Sequence, residues 1–514
     1  MTKGVLIEMP LPEEWVFLAL FPKGLAVLFM AFVCLSAFAV TEEDIVIDLS
    51  GEPASLDPHV QWNPSSYYVY RNIFDNLLAR DNEGKIVGQV AETWEQTTET
   101  TLELTIREGI FFHDGEPLKP SDVVFSIKRI TDPDFGSPQL GQFNKIVDAV
   151  AEGNSVIIIT ADPYPTLLAQ LVKLSIVPEH IVSKVGDSKF NDAPIGSGPY
   201  AFLEWDRGNM VKLIRNEDYW GDVGPFLRAT FRSVPDVATR VADLRAGTAD
   251  LVVSIDADFA QQINSGGTGK VLSALSERVG YLGLNLEKPP FNNLEMRRAA
   301  SMAIDRQGII EGLLQAGEVP IAQMLTPSHF GFDATVPPFE FDVARARAIV
   351  SANQALASSP ATLATSPVFD QRIVQAIQQM LNDVGFNIAI SMSDMPRYLE
   401  IVTSPSNRNS ELSFGRWSCA CQDADGVVYP LLHSSSSWSR VKNTHLDELL
   451  EAARSSLDSE VRQEAYDQVH QIVREEYLML PLYQATVLYG ASVDLNFVPT
   501  ANESMFLNRM RIAR

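Results

Sequence analysis

Two rhythms of apolar and polar positions organise this chain. Short apolar runs framed by charge or turn residues predict strands: Ile45-Val46-Ile47 between Asp44 and Asp48, Val156 to Thr160, Val211 to Arg215, Leu251 to Ile255, Tyr281 to Leu286 and Leu478 to Leu482. Leu102, Leu104 and Ile106 alternate with polar residues and predict one arm of a hairpin. Between these runs the spacing changes to three and four. Residues 67–79 place Tyr70, Ile73, Phe74, Leu77 and Leu78 on one face, which predicts a helix whose tyrosines are core. Further helices are predicted from Val123, with Ser121 or Asp122 as cap, and over 238–246.

Residues 294–304 bury Met296, Ala299, Ala300, Ala303 and Ile304 on one face, and Arg297, Arg298 and Arg306 are expected on a solvated one. From Ala361 a strand, a helix carrying Ile373, Val374, Ile377, Leu381 and Val384, and a strand over 386–390 predict a βαβ unit. Two amphipathic helices follow, marked by Leu446, Leu449, Leu450 and Ala453 and then by Val461, Ala465, Val469, Ile472 and Val473. The tail from Val487 is expected to return to the first half of the molecule. Such alternation is that of an α/β fold.

The chemically crowded stretch is 414–430, containing Arg416, Trp417, Cys419, Cys421, Asp423, Asp425 and Tyr429. Polar and aromatic groups on a loop held by a large scaffold are a common way to build a ligand site. Trp62, with Gln61, falls outside the helical spacing that follows and is the better contact among the early aromatic residues. His113 beside Asp114 has no nucleophile and reads as a turn that positions the next helix. Gly196-Ser197-Gly198-Pro199 must be a tight turn; it lacks the Lys-Ser/Thr of a phosphate-binding loop.

Ser55-Leu56-Asp57-Pro58, Ala91-Glu92-Thr93-Trp94, Phe112-His113-Asp114-Gly115 and Asp122-Val123-Val124-Phe125-Ser126 resemble the first lobe of the periplasmic solute-binding proteins that deliver di- and oligopeptides to ABC importers, the family 5 type. Gly196 to Tyr200, Arg215 to Trp220, Pro289 to Asn293, Ala303 to Arg306 and Leu480 to Tyr483 keep that family's order. The resemblance implies two α/β lobes of the type II periplasmic-binding-protein kind, with an additional β-rich subdomain in the first lobe. The expected division is 1–39 signal peptide; 40–58, 176–276 and 485–514 core of the first lobe; 59–175 its β-rich subdomain; 277–484 second lobe. The implied ligand contacts are Gln61, Trp62, Arg416, Trp417, Asp423 and Asp425. In peptide-binding relatives an aspartate three residues after the tryptophan pairs with the ligand's amino group. Here that position is Ala420. A free peptide amine is therefore not expected to be read in the usual way, and modified peptides, opine-like or other acidic solutes and sugars stay open.

Composition narrows the function further. A net charge of -25 and a pI near 4.7 argue against nucleic acid or an anionic membrane as the main partner. Gly24 to Val40, after Lys23 and with Ala37 and Ala39 near its end, predicts an export signal and a periplasmic protein. Cys419 and Cys421, separated by one residue, are expected to be free or buried thiols, with no metal site. There is no G-x-S-x-G, no H-E-x-x-H and no zinc-like histidine cluster, so no catalytic residue is assigned. The expected protein is a monomer without cofactor that captures a peptide-like or other small organic solute and delivers it to a permease in the inner membrane. The alternatives are an exported hydrolase and a solute sensor that docks to a receptor.

Overall fold

The computed structural model describes residues 43–60, 63–81, 84–404 and 410–513. The apolar segment 24–40, Gln61 and Trp62 lie outside the described residues. Strand Glu43–Leu49 forms where the charge-framed run stood, with Ile45, Ile47 and Leu49 fully buried. It enters a sheet that, among the described residues, has eleven strands. Across that sheet the order is Ile388–Met392, Ala361–Thr365, Leu412–Trp417, Gly269–Leu284, Met479–Ser492, Leu251–Val253, Glu43–Leu49, Phe226–Ser233, Met210–Arg215 and Tyr200–Asp206, with Val319–Pro320 beside Met479–Ser492. The βαβ unit is present: Ala361–Thr365 and Ile388–Met392 pair in parallel around helix Gln371–Asp383.

Two strands are far longer than the apolar runs that marked them. Gly269–Leu284 and Met479–Ser492 pair antiparallel from Gly269↔Ser492 to Gly283↔Met479, with a register shift between Leu275 and Val279. The bulged residues Ser276, Glu277 and Arg278 leave the ladder, and side chains satisfy part of its backbone: Ser276 Oγ donates to the Ala485 carbonyl and Gln484 Nε2 to the Ser276 carbonyl, both at 2.8 Å. On one side of the bulge lies a core that includes Ile47, Tyr70, Tyr200, Phe231, Tyr489 and Met505. On the other lies one built from Leu282, Phe291, Ile304, Leu363, Ile377 and Phe414. These are the two lobes, joined through a pair of strands common to both. The tail reaches the first core through Met505, Leu507 and Met510.

A separate four-stranded antiparallel sheet, Ala91–Thr98, Thr101–Ile106, Ser155–Thr160 and Ile146–Glu152, builds the β-rich subdomain. Its hairpin arm alternates as expected: Leu102, Leu104 and Ile106 are buried, packed with Val123, Ile127 and Phe143.

Local expectations fail in three places, each through tertiary structure. The helix expected over 67–79 is Pro64–Ile73, and Leu78 belongs to a short strand. Gly198 N–H takes the Ile73 carbonyl at 2.8 Å, and a Cβ at Gly196 would stand 2.1 Å from that same oxygen, so this turn uses glycine for close approach. Helix Pro120–Thr131 starts earlier than expected, with Asp122 Oδ2 reaching back to the Lys119 N–H at 2.9 Å. Arg297 and Arg306 are buried, not solvated: Arg297 Nε donates to the Glu476 carbonyl and Arg306 Nε to the Pro481 carbonyl, both at 2.8 Å.

Candidate functional site

A cavity of about 450 Å³ opens beside the bulge, within the range of small-molecule sites. The first lobe and its subdomain contribute Tyr67, Gln142, Lys145, Tyr164 and Lys173; the second lobe contributes Ser418, Cys419, Ala420, Asp425, Tyr429 and Arg454; the bulge itself contributes Glu277 and Arg278, and the tail Asn502 and Glu503. A cavity of similar size near Asp305, Phe339 and Phe341 is lined from the second lobe alone.

The wall from the second lobe is the stretch the sequence singled out, and it is more ordered than a loop. Leu412–Trp417 is a strand and Asp425–Leu432 a helix, leaving 418–424 between them. Cys419 and Cys421 form a disulfide, which corrects the expectation of free thiols. Their Cα atoms are 5.1 Å apart, inside the span a disulfide bridges, in a tight turn that Gln422 N–H closes by donating to the Cys419 carbonyl at 2.8 Å. Gly426 lets the next helix pack directly on the sulfurs: a Cβ there would lie 2.3 Å from Cys419 Sγ.

Of the expected contacts, Asp425 lines the cavity. It is held by Arg454 at 3.0 Å, and Arg454 stacks 3.7 Å from the centroid of the Tyr429 ring. Burial pushes the Asp425 carboxyl above its usual range, opposed chiefly by Arg454. Arg416 is exposed on its strand and does not line the cavity. Trp417 supports the wall: its indole N–H donates to the Gly426 carbonyl at 3.1 Å and its ring meets Trp438 edge-on at 5.0 Å. Asp423 is 4% exposed and accepts from Arg462 Nη2 at 2.7 Å. Gln61 and Trp62 lie outside the described residues.

The opposite wall was not foreseen. Tyr164, Lys173, Glu277, Arg278 and Glu503 come from three distant segments, and Arg278 pairs with Glu503 at 2.7 Å. Their one mark in the sequence is Ser276-Glu277-Arg278, a polar break between apolar runs at the centre of a long strand. Arrayed charges and three tyrosines around a small cavity suit a solute with both charged and apolar parts, held by hydrogen bonds and flat ring faces.

The family described as bacterial extracellular solute-binding proteins, family 5, middle region, matches residues 85–439. The glutathione-binding protein GsiB of Salmonella typhi is 24% identical over 490 residues, covering 92% of this chain and 95% of that protein. Among solved structures, the ABC transporter substrate-binding protein CtaP of Listeria monocytogenes superposes with a TM-score of 0.84 at 21% identity, covering 92% of this chain and 100% of that one. The oligopeptide-binding protein AppA of Bacillus subtilis, solved with a nonapeptide, gives a TM-score of 0.74 at 21% identity over 92% of this chain and 100% of that one.

Proposed function

Because the chain belongs to the family 5 bacterial extracellular solute-binding proteins, we propose that it is the exported capture subunit of an ABC importer, taking a peptide-like solute between its lobes and presenting it to a permease. The observation that carries this reading is the position of the cavity. It is lined from both lobes and from the bulge in the strands that join them, so a solute held there contacts every part that moves when the lobes swing. A ligand shifts such an equilibrium only by binding one state better, and a site completed by closure does so. Residues 276–278 and 484–486 serve as the hinge, between a first lobe of 40–58, 176–276 and 485–514, with its 59–175 subdomain, and a second lobe of 277–484.

The volume favours a short solute over a nonapeptide. The GsiB relatives are named for a tripeptide, glutathione, which makes glutathione and unmodified tripeptides the first probes. No helix among the described residues is long and apolar enough to cross a membrane, and an export signal in the first 39 residues would place the protein in the periplasm. Calorimetry and small-angle scattering test the proposal together. The expected result is saturable one-to-one binding of a tripeptide-sized solute, with a smaller radius of gyration in the complex and the solute recovered intact. Conversion of the solute to product overturns it.

A further inference from the structure

Among the described residues three carboxylates line the cavity, and their partners differ. Asp425 has Arg454 at 3.0 Å, and Glu503 has Arg278 at 2.7 Å and the Tyr68 hydroxyl at 3.3 Å. Glu277 has no ion pair within 4 Å, its Oε2 has no hydrogen-bond partner, and the residue is only 7% exposed. The cations that face it are otherwise engaged. Arg80 donates through Nη1 and Nη2 to the carbonyls of Gly84 and Cys421, its buried Nε making no hydrogen bond, Lys173 donates to the side chain of Gln142, and Arg278 to Glu503.

A buried carboxylate left without a partner is costly, and it either takes up a proton or meets a cation. Burial pushes Glu277 up to about 8, with Glu503 acting in the same direction and Arg278, Lys173 and Arg80 against it. The facing cations thus offset only part of the cost of burial. Across the cavity, the loop after Trp417 presents Ser418, Cys419 and Ala420, none of them an acid.

We propose that Glu277 is the acceptor for a cationic amine on the bound solute, placing the acid that reads this charge on the bulge of the joining strand. The assignment rests on the reading of the cavity as a solute site and specifies one functional group of what enters it. An ammonium that docks on Oε2 supplies the missing hydrogen bonds and displaces the proton held there. The proton leaves to buffer as the ammonium–carboxylate pair forms. Because Glu277 belongs to the bulge between the lobes, the same pair couples amine binding to the geometry of the joint.

The test uses the full mature chain, its Glu277→Gln variant, and two probes, trialanine and N-acetyltrialanine. Trialanine is expected to bind Glu277→Gln about 10- to 100-fold more weakly than wild type, the range of a hydrogen bond to a charged group. N-acetyltrialanine is expected to bind both proteins alike. At pH 7 the trialanine heat in wild type should vary with the ionisation enthalpy of the buffer, reporting a released proton, and this variation should vanish in the variant. In parallel, solutes released by denaturing each purified protein are tagged with dansyl chloride. An amine-bearing solute from wild type that is absent from Glu277→Gln supports the assignment even where trialanine does not bind. Equal binding or equal retention by both proteins, or a released solute without an amine, overturns the assignment alone. A wild-type protein that binds no probe and releases no solute overturns the solute-site reading and the assignment with it.

Discussion

Arg80 Nη2 donates to the main-chain carbonyl of Cys421 at 2.6 Å, so a side chain from the first lobe's strand Leu78–Arg80 holds the disulfide-bearing wall of the second lobe. The guanidinium also takes the Gly84 carbonyl, which fixes its direction. Opening the lobes must break the longer-range bond. A hydrogen bond from a charged donor is worth about 1.5–3 kcal/mol. Arg80→Ala is therefore expected to release solute about 10- to 100-fold faster with little change in association rate, measured by stopped-flow fluorescence. Its unliganded form should scatter as a more open particle.

The disulfide itself should matter locally more than globally. A ring closed across one intervening residue removes little freedom from the unfolded chain, about 1–2 kcal/mol by the loop-entropy relation. The Cys419→Ser, Cys421→Ser double variant is expected to lose about that much by urea denaturation while binding solute at least several-fold more weakly, because the wall at 418–420 is then unpinned. Gly426→Ala should weaken binding in the same way, since its methyl group would displace Cys419 Sγ.

Arg129 does not line the cavity and is a structural counterpart. It is 7% exposed and donates to Asp57 Oδ1 at 3.1 Å and to Asp187 Oδ1 at 2.6 Å, with His59 Nδ1 at 3.1 Å. Removing one member of a buried ionic cluster strands the others. Arg129→Ala is expected to cost about 3–5 kcal/mol. Urea midpoints will read the loss, and the fraction still folded should bind solute with unchanged affinity.

Acid should destabilise the protein through its buried histidines. Burial lowers His59, His113 and His329 to about 4 from an ordinary 6.5. His59 is flanked by Asp57, Arg129 and Asp187, His113 by Asp114 and the Gly198 carbonyl, and His329 by Thr326 and Arg80. Since the unfolded chain takes up protons that these folded rings refuse, stability is full above pH 6.5 and falls as the pH drops from there toward 4. The loss is on the order of 3 kcal/mol per histidine. Melting temperature followed from pH 7 to pH 4 should show the decline, and His113→Gln should flatten it.

Much of this architecture was legible from spacing alone. The βαβ unit, the alternating hairpin arm and the paired C-terminal helices each carry their period in a dozen or so residues, and neighbours reinforce it. The long joining strands were half hidden because Ser276-Glu277-Arg278 interrupts the apolar pattern, and a run that stops at a bulge looks like a strand that ends. Arg297 and Arg306 misled for a related reason. An arginine is buried when distant carbonyls converge on its fork, and no local pattern records where Glu476 and Pro481 will lie. The site divided in the same manner. Its second-lobe wall is one continuous stretch, visible as a cluster of chemistry, whereas Tyr164, Lys173, Glu277 and Glu503 meet only after folding.

The two long strands lie opposite each other where the register shifts, Ser276 against Ala485. On the proposed division at 276/277 and 484/485, both passages of the chain between lobes occur at the same rung of the ladder. A recombination event that exchanged residues 277–484 between two relatives would cut both strands at matched positions and leave each half-ladder paired within its own lobe. Ligand preference could then be inherited as a module, with the acid at 277 travelling with the second lobe.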